Sequence, residues 1–232
     1  MRNTFDRFNG RHQDYQAARP SYAQEFLDWL GELYAPPERY TAADIGSGTG
    51  KLSAQLLAAG FRVCGVEPNP DMRGAAEALL GGDPRFSSSN GTDHDTGLPD
   101  RSVDMVAAAQ AFHWFDGPAF ARECRRILRP GGRAVLVWNV RGSAPMNQAL
   151  AQVFREHCPS FHGFTGGMGE DDPRIRDFFG GAYEKRRFPN PLTLDRDQFL
   201  RRCFSSSYAL REGDADYEAF RAALEALFPV IY

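Results

Sequence analysis

Cysteine is scarce in this sequence, and Cys64, Cys124, Cys158 and Cys203 lie too far apart for a CxxC redox pair or a zinc pair. Four reduced thiols in a cytoplasmic protein are the expectation, and a disulfide scaffold or zinc ribbon is excluded. An excess of charge is also lacking: 27 Lys and Arg face 30 Asp and Glu, a formal net charge of −3. Binding to a phosphate backbone needs a basic stripe, so nucleic acid is not expected as the main partner. No apolar run approaches about 18 residues, which argues against a membrane partner. The opening MRNTFDRFNGRHQDYQ has no apolar segment of signal-peptide type. Internal repeats and low-complexity tracts are absent too. What is present is the composition of a globular domain: 232 residues, 42% hydrophobic and 25% charged, enough for a full core.

From Tyr40 onward, short apolar runs alternate with helical ones. Ala42–Ile45 precedes Leu52–Ala59, and Phe61–Val66 precedes Met72–Leu80. Val103–Phe112 precedes Ala119–Leu128, and Arg133–Val140 closes the series. Strands alternating with helices predict βαβ units and a doubly wound, mostly parallel α/β sheet with helices on both faces. Before this region Phe26, Leu27, Leu30 and Leu33 recur at helical spacing over 23–33, and Pro36-Pro37 ends that helix. Pro130-Gly131-Gly132 is read as a sharp turn before a strand over 134–138. Beyond Arg141 the pattern predicts helices over 146–155, 196–203 and 217–227, a strand over 183–194 and a loop over 160–172. The glycine-rich 163–169 is either a lid or a plain connection.

The most informative stretch is Thr41-Ala-Ala-Asp-Ile-Gly-Ser-Gly-Thr-Gly-Lys-Leu-Ser53. It runs from a strand through three glycines into a helix, where backbone N–H groups approach a nucleotide or a carboxylate. A Walker A loop fails at Ile45 and at Leu52. A dinucleotide fingerprint fails at Lys51, which disfavours an NAD-dependent oxidoreductase. What remains is D-x-G-x-G-x-G, in which Asp44 would repel a phosphate and attract an ammonium group. Val63-Cys-Gly-Val-Glu67 ends in an acid about twenty residues after the first glycine, suited to both hydroxyls of a ribose. Together they point to a cofactor with a nucleoside at one end and an amino acid at the other.

These residues resemble those of class I S-adenosylmethionine-dependent methyltransferases, with a Rossmann-like fold. The resemblance covers residues 12–140 well and the rest loosely. It implies S-adenosyl-L-methionine as cofactor and S-adenosyl-L-homocysteine as product, with Asp44, Gly46, Ser47, Gly48 and Gly50 beside the methionine part and Glu67 on the ribose. In Pro68-Asn-Pro-Asp-Met72, which resembles the family's next turn, Met72 would pack on the adenine. Gly91-Thr92-Asp93-His94 with Leu98-Pro-Asp100 resembles the segment at the adenine edge, with Phe86–Ser89 as the short strand leading there. Relatives more often have a small residue and then an acid where Asp93 and His94 stand, so either Asp93 takes the adenine amino group by itself or this contact differs. Gln110-Ala111-Phe112-His113-Trp-Phe-Asp116 is similar to a signature of the subgroup containing trans-aconitate and other small-molecule methyltransferases. Leu128-Arg-Pro-Gly-Gly132 matches the stretch before the fifth strand. Tyr15 and Arg19-Pro20-Ser-Tyr22 resemble a cap over the cofactor, where Arg19 either meets the methionine carboxylate or simply starts a helix. The resulting division is a helical cap over 1–38, a cofactor-binding core over 39–141 and an acceptor-side segment over 142–232, all within one domain. The usual final strand is not visible; a short sheet, a truncated chain or a partner chain each account for that.

The acceptor is narrowed by the residues just after the fourth strand. Enzymes acting on exocyclic amino groups of bases carry [DN]-P-P-[YF] there, whereas this chain reads Gln110-Ala-Phe-His113. Cys124 falls inside a helix, where a thiol is inert rather than nucleophilic. The expected reaction is methylation of a small molecule, at a carboxylate or hydroxyl oxygen, by a monomer or homodimer. His113 is either the base for a hydroxyl or a structural histidine, and Phe112, Trp114, Phe161 and Phe164 are either pocket lining or core. No metal-ligand spacing emerges. A binding protein without transferase activity and an RNA methyltransferase are the alternatives, although acids interspersed along Lys185-Arg-Arg187 and Arg196–Arg202 suggest a solvated face.

Overall fold

The computed structural model describes residues 20–142, 144–164 and 168–228, which divide into two compact units. Among these residues the first unit takes in 21–138 and 170–190, and the second the remainder. In chain order the helices are α1 (Gln24–Leu33), α2 (Lys51–Ala58), α3 (Pro70–Leu80), α4 (Gly117–Ile127), α5 (Pro145–His157), α6 (Pro173–Phe178), α7 (Arg196–Phe204) and α8 (Tyr217–Leu227). The last two, with α5, belong to the second unit.

The first unit is built on five parallel strands, β1 (Thr41–Ile45), β2 (Arg62–Val66), β3 (Phe86–Ser89), β4 (Val103–Ala109) and β5 (Leu128–Val137). Their order is β3-β2-β1-β4-β5, the doubly wound order in which strand succession reverses between β1 and β4. Ala42, Met105 and Ala107 bury one face with Phe26, Leu30, Leu52 and Leu56. The alternate pleat positions Ala43, Ile45, Val106 and Ala108 are buried as fully, because a parallel sheet excludes water on both sides. Small alanines on the central strands let the covering layers approach closely.

Polar residues punctuate these elements. Asn69 caps α3 by accepting the Asp71 and Met72 N–H groups, and Pro70 occupies the first turn, where its missing donor does no harm. Asp116 accepts the Ala119 N–H at the start of α4. The second unit gathers Phe154, Phe161, Phe199, Phe220 and Leu224 around two buried thiols, Cys158 and Cys203. Asp195 and Gln198 form a reciprocal capping box at the start of α7.

Three expectations are corrected. Residues 182–195 form no strand, since Pro189 and Pro191 lack the N–H a ladder requires and most of the segment is exposed. Pro130-Gly131-Gly132 is not a turn between helix and strand: β5 starts at Leu128 and absorbs these residues in a register shift opposite Val103–Met105. Gly131 takes φ +83° there, and a Cβ on Gly132 would stand 2.9 Å from the Asp104 carbonyl oxygen. Strand β4 ends at Ala109, and Phe112–Trp114 forms a 3-10 turn. Helix α6 was not expected, being too short for apolar periodicity to register. Residues 165–167 of the glycine-rich stretch lie outside the described residues.

Helix α6 contributes Phe178, whose ring stacks on Phe120 at 5.1 Å within a cluster that includes Phe112 and Phe115. Phe120 is fully buried. Phe120→Ala is expected to cost about 3–5 kcal/mol of unfolding free energy, read as a lowered denaturant midpoint with unchanged m-value.

Candidate active site

Open α/β sheets bind ligands at the carboxyl ends of their strands, beside the point where strand order reverses. At the end of β1, Gly46, Gly48 and Gly50 take φ of +69°, +56° and +81°, a region that L side chains rarely adopt. The Gly46 and Ser47 N–H groups donate to the Val66 carbonyl at 2.8 and 3.1 Å, and the Gly48 N–H donates to Glu67 Oε2 at 2.9 Å. Glu67 Oε1 accepts the Asn69 N–H at 2.9 Å. A Cβ on Gly46 would stand 2.8 Å from Ala111 Cβ, and one on Gly50 would stand 2.9 Å from Leu80 Cδ1. A Cβ on Gly48 would meet nothing within 4 Å, so its position faces open space.

These contacts continue from strand end to strand end. Glu67 joins the loops after β1 and β2. Arg73 Nη1 donates to the Glu67 carbonyl at 2.8 Å and to Asn90 Oδ1 at 3.0 Å, joining β2 to the segment after β3. The Asp116 N–H donates to Asp93 Oδ2 at 3.0 Å, joining that segment to the one after β4. Ala111 and Phe115 lie against Gly46, which closes the circuit. The expected residues Gly46, Ser47, Gly48, Glu67, Asp93 and Ala111 are therefore joined by one chain of contacts, with Asp44 and Gly50 on the same strand end and loop.

Two carboxylates dominate its electrostatics. Asp44 is fully buried; its Oδ2 accepts the Ser53 hydroxyl at 2.7 Å, and its Oδ1 has no hydrogen-bond partner among the described residues. Burial pushes the Asp44 carboxyl up to about 6, Ser53 opposes that rise, and the Glu67 charge adds to it. Burial also raises Glu67, against the two N–H donors and the nearby Arg73. A buried acid with an unused oxygen suits a cationic ligand group, and the lone pairs left on Glu67 suit hydroxyl donors. Residues and ligand chemistry fit: Asp44 would take the cofactor's ammonium and Glu67 its ribose.

The remaining expected residues occupy several settings. Pro68 is half-buried after β2, and Met72 is buried in the first turn of α3. The Thr92 N–H donates to the Asp95 carbonyl, and His94 Nδ1 lies 3.1 Å from Asp93 Oδ1 while its ring is exposed. Gln110 holds φ +56° directly after β4, strain of the kind that collects at functional sites. Phe112 is buried among Phe115, Phe120, Trp138 and Phe178. His113 is half-buried with its ring centroid 4.7 Å from Trp114, which is exposed. Phe161 and Phe164 pack on Phe154 in the second unit. Tyr15 and Arg19 lie outside the described residues. Cys124 is buried, which pushes its thiol up and keeps it protonated, in keeping with its helical position. No metal-binding group is found among the described residues.

Ser53, Asn69, Arg73 and Phe115 were not anticipated. Ser53 lies nine residues after Asp44 and reads as one more polar helix position, while Arg73 reads as a surface charge.

A parallel sheet with this order, a glycine loop after β1 and an acid after β2 are features shared with class I S-adenosylmethionine-dependent methyltransferases. Residues 43–136 match the family described as a methyltransferase domain. The chain is 42% identical over 127 residues to an uncharacterized methyltransferase of Mycobacterium tuberculosis, covering 55% of this chain and 49% of that protein. It spans about half the length of that relative. An uncharacterized methyltransferase-like protein of Schizosaccharomyces pombe is 29% identical over 88% of this chain and 79% of its own. A solved structure from Anaeromyxobacter dehalogenans, proposed to be a type II methyltransferase, aligns with a TM-score of 0.58 at 29% identity, covering 90% of this chain and 89% of that one. Another from Anabaena variabilis, proposed to be a methyltransferase of an antibiotic biosynthesis pathway, shares the fold, with a TM-score of 0.66 at 24% identity over 92% of this chain and 88% of that one.

Two substitutions test the geometry. Since the folded Asp44 carboxyl titrates near 6 rather than 3.8, its ionisation disfavours the fold. The loss begins near pH 4 and is complete above about 6, reaching up to about 3 kcal/mol. Asp44→Asn is expected to flatten that decline in urea unfolding measured from pH 4 to 8, while weakening S-adenosylhomocysteine binding. Gly46→Ala combines a strained φ with a clash on Ala111 and is expected to destabilise by about 1–3 kcal/mol.

Proposed function

We propose that this chain transfers a methyl group from S-adenosylmethionine to a small-molecule acceptor, at a carboxylate or hydroxyl oxygen. The observation that carries the reading is the pair of buried carboxylates, Asp44 and Glu67, at neighbouring strand ends around an open glycine loop. When bound, the cofactor supplies an electrophilic methyl on a positively charged sulfur. The chain contributes placement: Asp44 would hold the cofactor's ammonium and Glu67 its ribose, beside the open glycine loop. Fixed placement is the major catalytic term for an in-line displacement. A carboxylate acceptor attacks without a base. For a hydroxyl acceptor, His113 on the turn after β4 is the group that takes the proton.

A small acceptor is favoured over nucleic acid by the surface charge. Lys185 pairs with Glu170 and Asp171, Arg187 with Glu170, and Arg186 with Glu184, so the most basic stretch is neutralised locally. No described helix is long and apolar enough to cross a membrane. In this reading residues 39–141 bind the cofactor. The setting is the cytoplasm.

Methyl-labelled cofactor incubated with a panel of carboxylic acids, phenols and alcohols tests the proposal. Label is expected in a small product at a rate insensitive to salt. His113→Ala is expected to leave carboxylate methylation within about threefold and to slow hydroxyl methylation by about 10²-fold or more. Label in RNA, with binding that weakens steeply as salt rises, would overturn the acceptor class. S-adenosylhomocysteine binding without transfer to any acceptor would favour a binding protein.

A further inference from the structure

The segment between β3 and β4 is held by a buried ionic fork outside the site described above. Thr96 is fully buried, and its N–H and its hydroxyl both donate to Glu123 Oε1, at 2.9 and 2.6 Å. Arg126 donates to both Glu123 oxygens, Nε to Oε2 at 2.8 Å and Nη2 to Oε1 at 2.7 Å. The same guanidinium reaches the Leu98 carbonyl at 2.8 Å and Asp100 Oδ1 at 2.7 Å. Glu123 is 6% exposed, and these donors hold its carboxyl down to about 2 despite burial, so it is ionised throughout the working range.

The fork has a geometric consequence upstream. The Ser89 hydroxyl donates to the Thr96 carbonyl at 2.8 Å, and a Cβ on Gly91 would stand 2.5 Å from that same oxygen. Residues 91–96 are thus folded tightly on themselves, with Thr96 as the anchored end. Asp93 sits in the middle of this fold, its Oδ2 fixed by the Asp116 N–H at the head of α4. Helix α4 therefore grips the segment at two points, through Asp116 at its middle and through Glu123 with Arg126 at its end.

We infer that Glu123 and Arg126 are positioning residues for cofactor recognition: by clamping Thr96 and Leu98 they hold Asp93 where its carboxylate accepts the adenine amino group. This rests on the reading of the glycine loop and Glu67 as the site of S-adenosylmethionine, and on Asp93 as its adenine contact. Neither fork residue touches the cofactor. Their effect is expected in discrimination between bases rather than in overall stability alone.

The test compares S-adenosylhomocysteine with S-inosylhomocysteine, which carries an oxygen in place of the amino group. Calorimetric titrations would use the wild-type chain, Glu123→Gln and Thr96→Val. Gln places an amide NH₂ against donors that both carboxylate oxygens now receive. Val removes the hydroxyl and leaves the Thr96 backbone bond, so it keeps the test available if Glu123→Gln does not fold. The wild type is expected to prefer the adenosyl compound about tenfold, the worth of one well-placed hydrogen bond. In both folded variants that preference is expected to fall below about threefold. An undiminished preference in the folded variants would make the fork a scaffold only and overturn the inference. A wild type that binds both compounds equally would overturn the Asp93 contact and the inference with it. A wild type that binds neither would overturn the cofactor reading itself.

Discussion

The hydrogen bonds from the glycine loop to the end of β2 are the constraint on which the site depends. Three successive N–H groups, of Gly46, Ser47 and Gly48, turn toward Val66 and Glu67. The chain can point them there only by passing through positive φ, which is why glycine stands at 46 and 48. One consequence is that Glu67 is oriented before any ligand arrives, bonded by one oxygen to Gly48 and by the other to Asn69. Another is that the loop lies low enough for Ala111 and Phe115 to pack on Gly46. A site assembled from four strand ends then has little freedom left to lose on binding, so more of the interaction energy appears as affinity.

The buried Asp44 carboxylate is the tension in this arrangement. Removing an acid from water without a countercharge disfavours folding, and Ser53 offsets only part of that. A ligand that brings its own positive charge relieves the remainder. The same physics explains why Glu123, with a guanidinium in a fork and two donors from Thr96, stays ionised while Asp44 is pushed toward neutrality. Both are buried carboxylates; their partners differ.

Much of this architecture is legible in the sequence. The β1 and β2 strands and the helix between them appear as apolar runs of the right length, and α8 reads at its observed limits because its apolar spacing is regular. The glycine loop and Glu67 are legible because φ and ligand chemistry restrict which residues can stand there. Less legible are features set by tertiary contact. Pro130-Gly131-Gly132 reads as a turn by local chemistry, yet pairing with β4 draws it into β5. The apolar content of 183–194 suggests a strand, while its prolines deny it a ladder. Glu123 and Arg126 look like ordinary charges on an amphipathic helix, and only the arrival of Thr96 from 27 residues away gives them a role.

The most direct measurement is calorimetric titration of cofactor-free protein with S-adenosylhomocysteine and, separately, with NAD. Binding of S-adenosylhomocysteine at one site, with no heat from NAD, is the expected result, because Asp44 repels a pyrophosphate and attracts an ammonium group. Binding of NAD instead, or of neither compound to folded protein, would contradict the assignment of the glycine loop and Glu67.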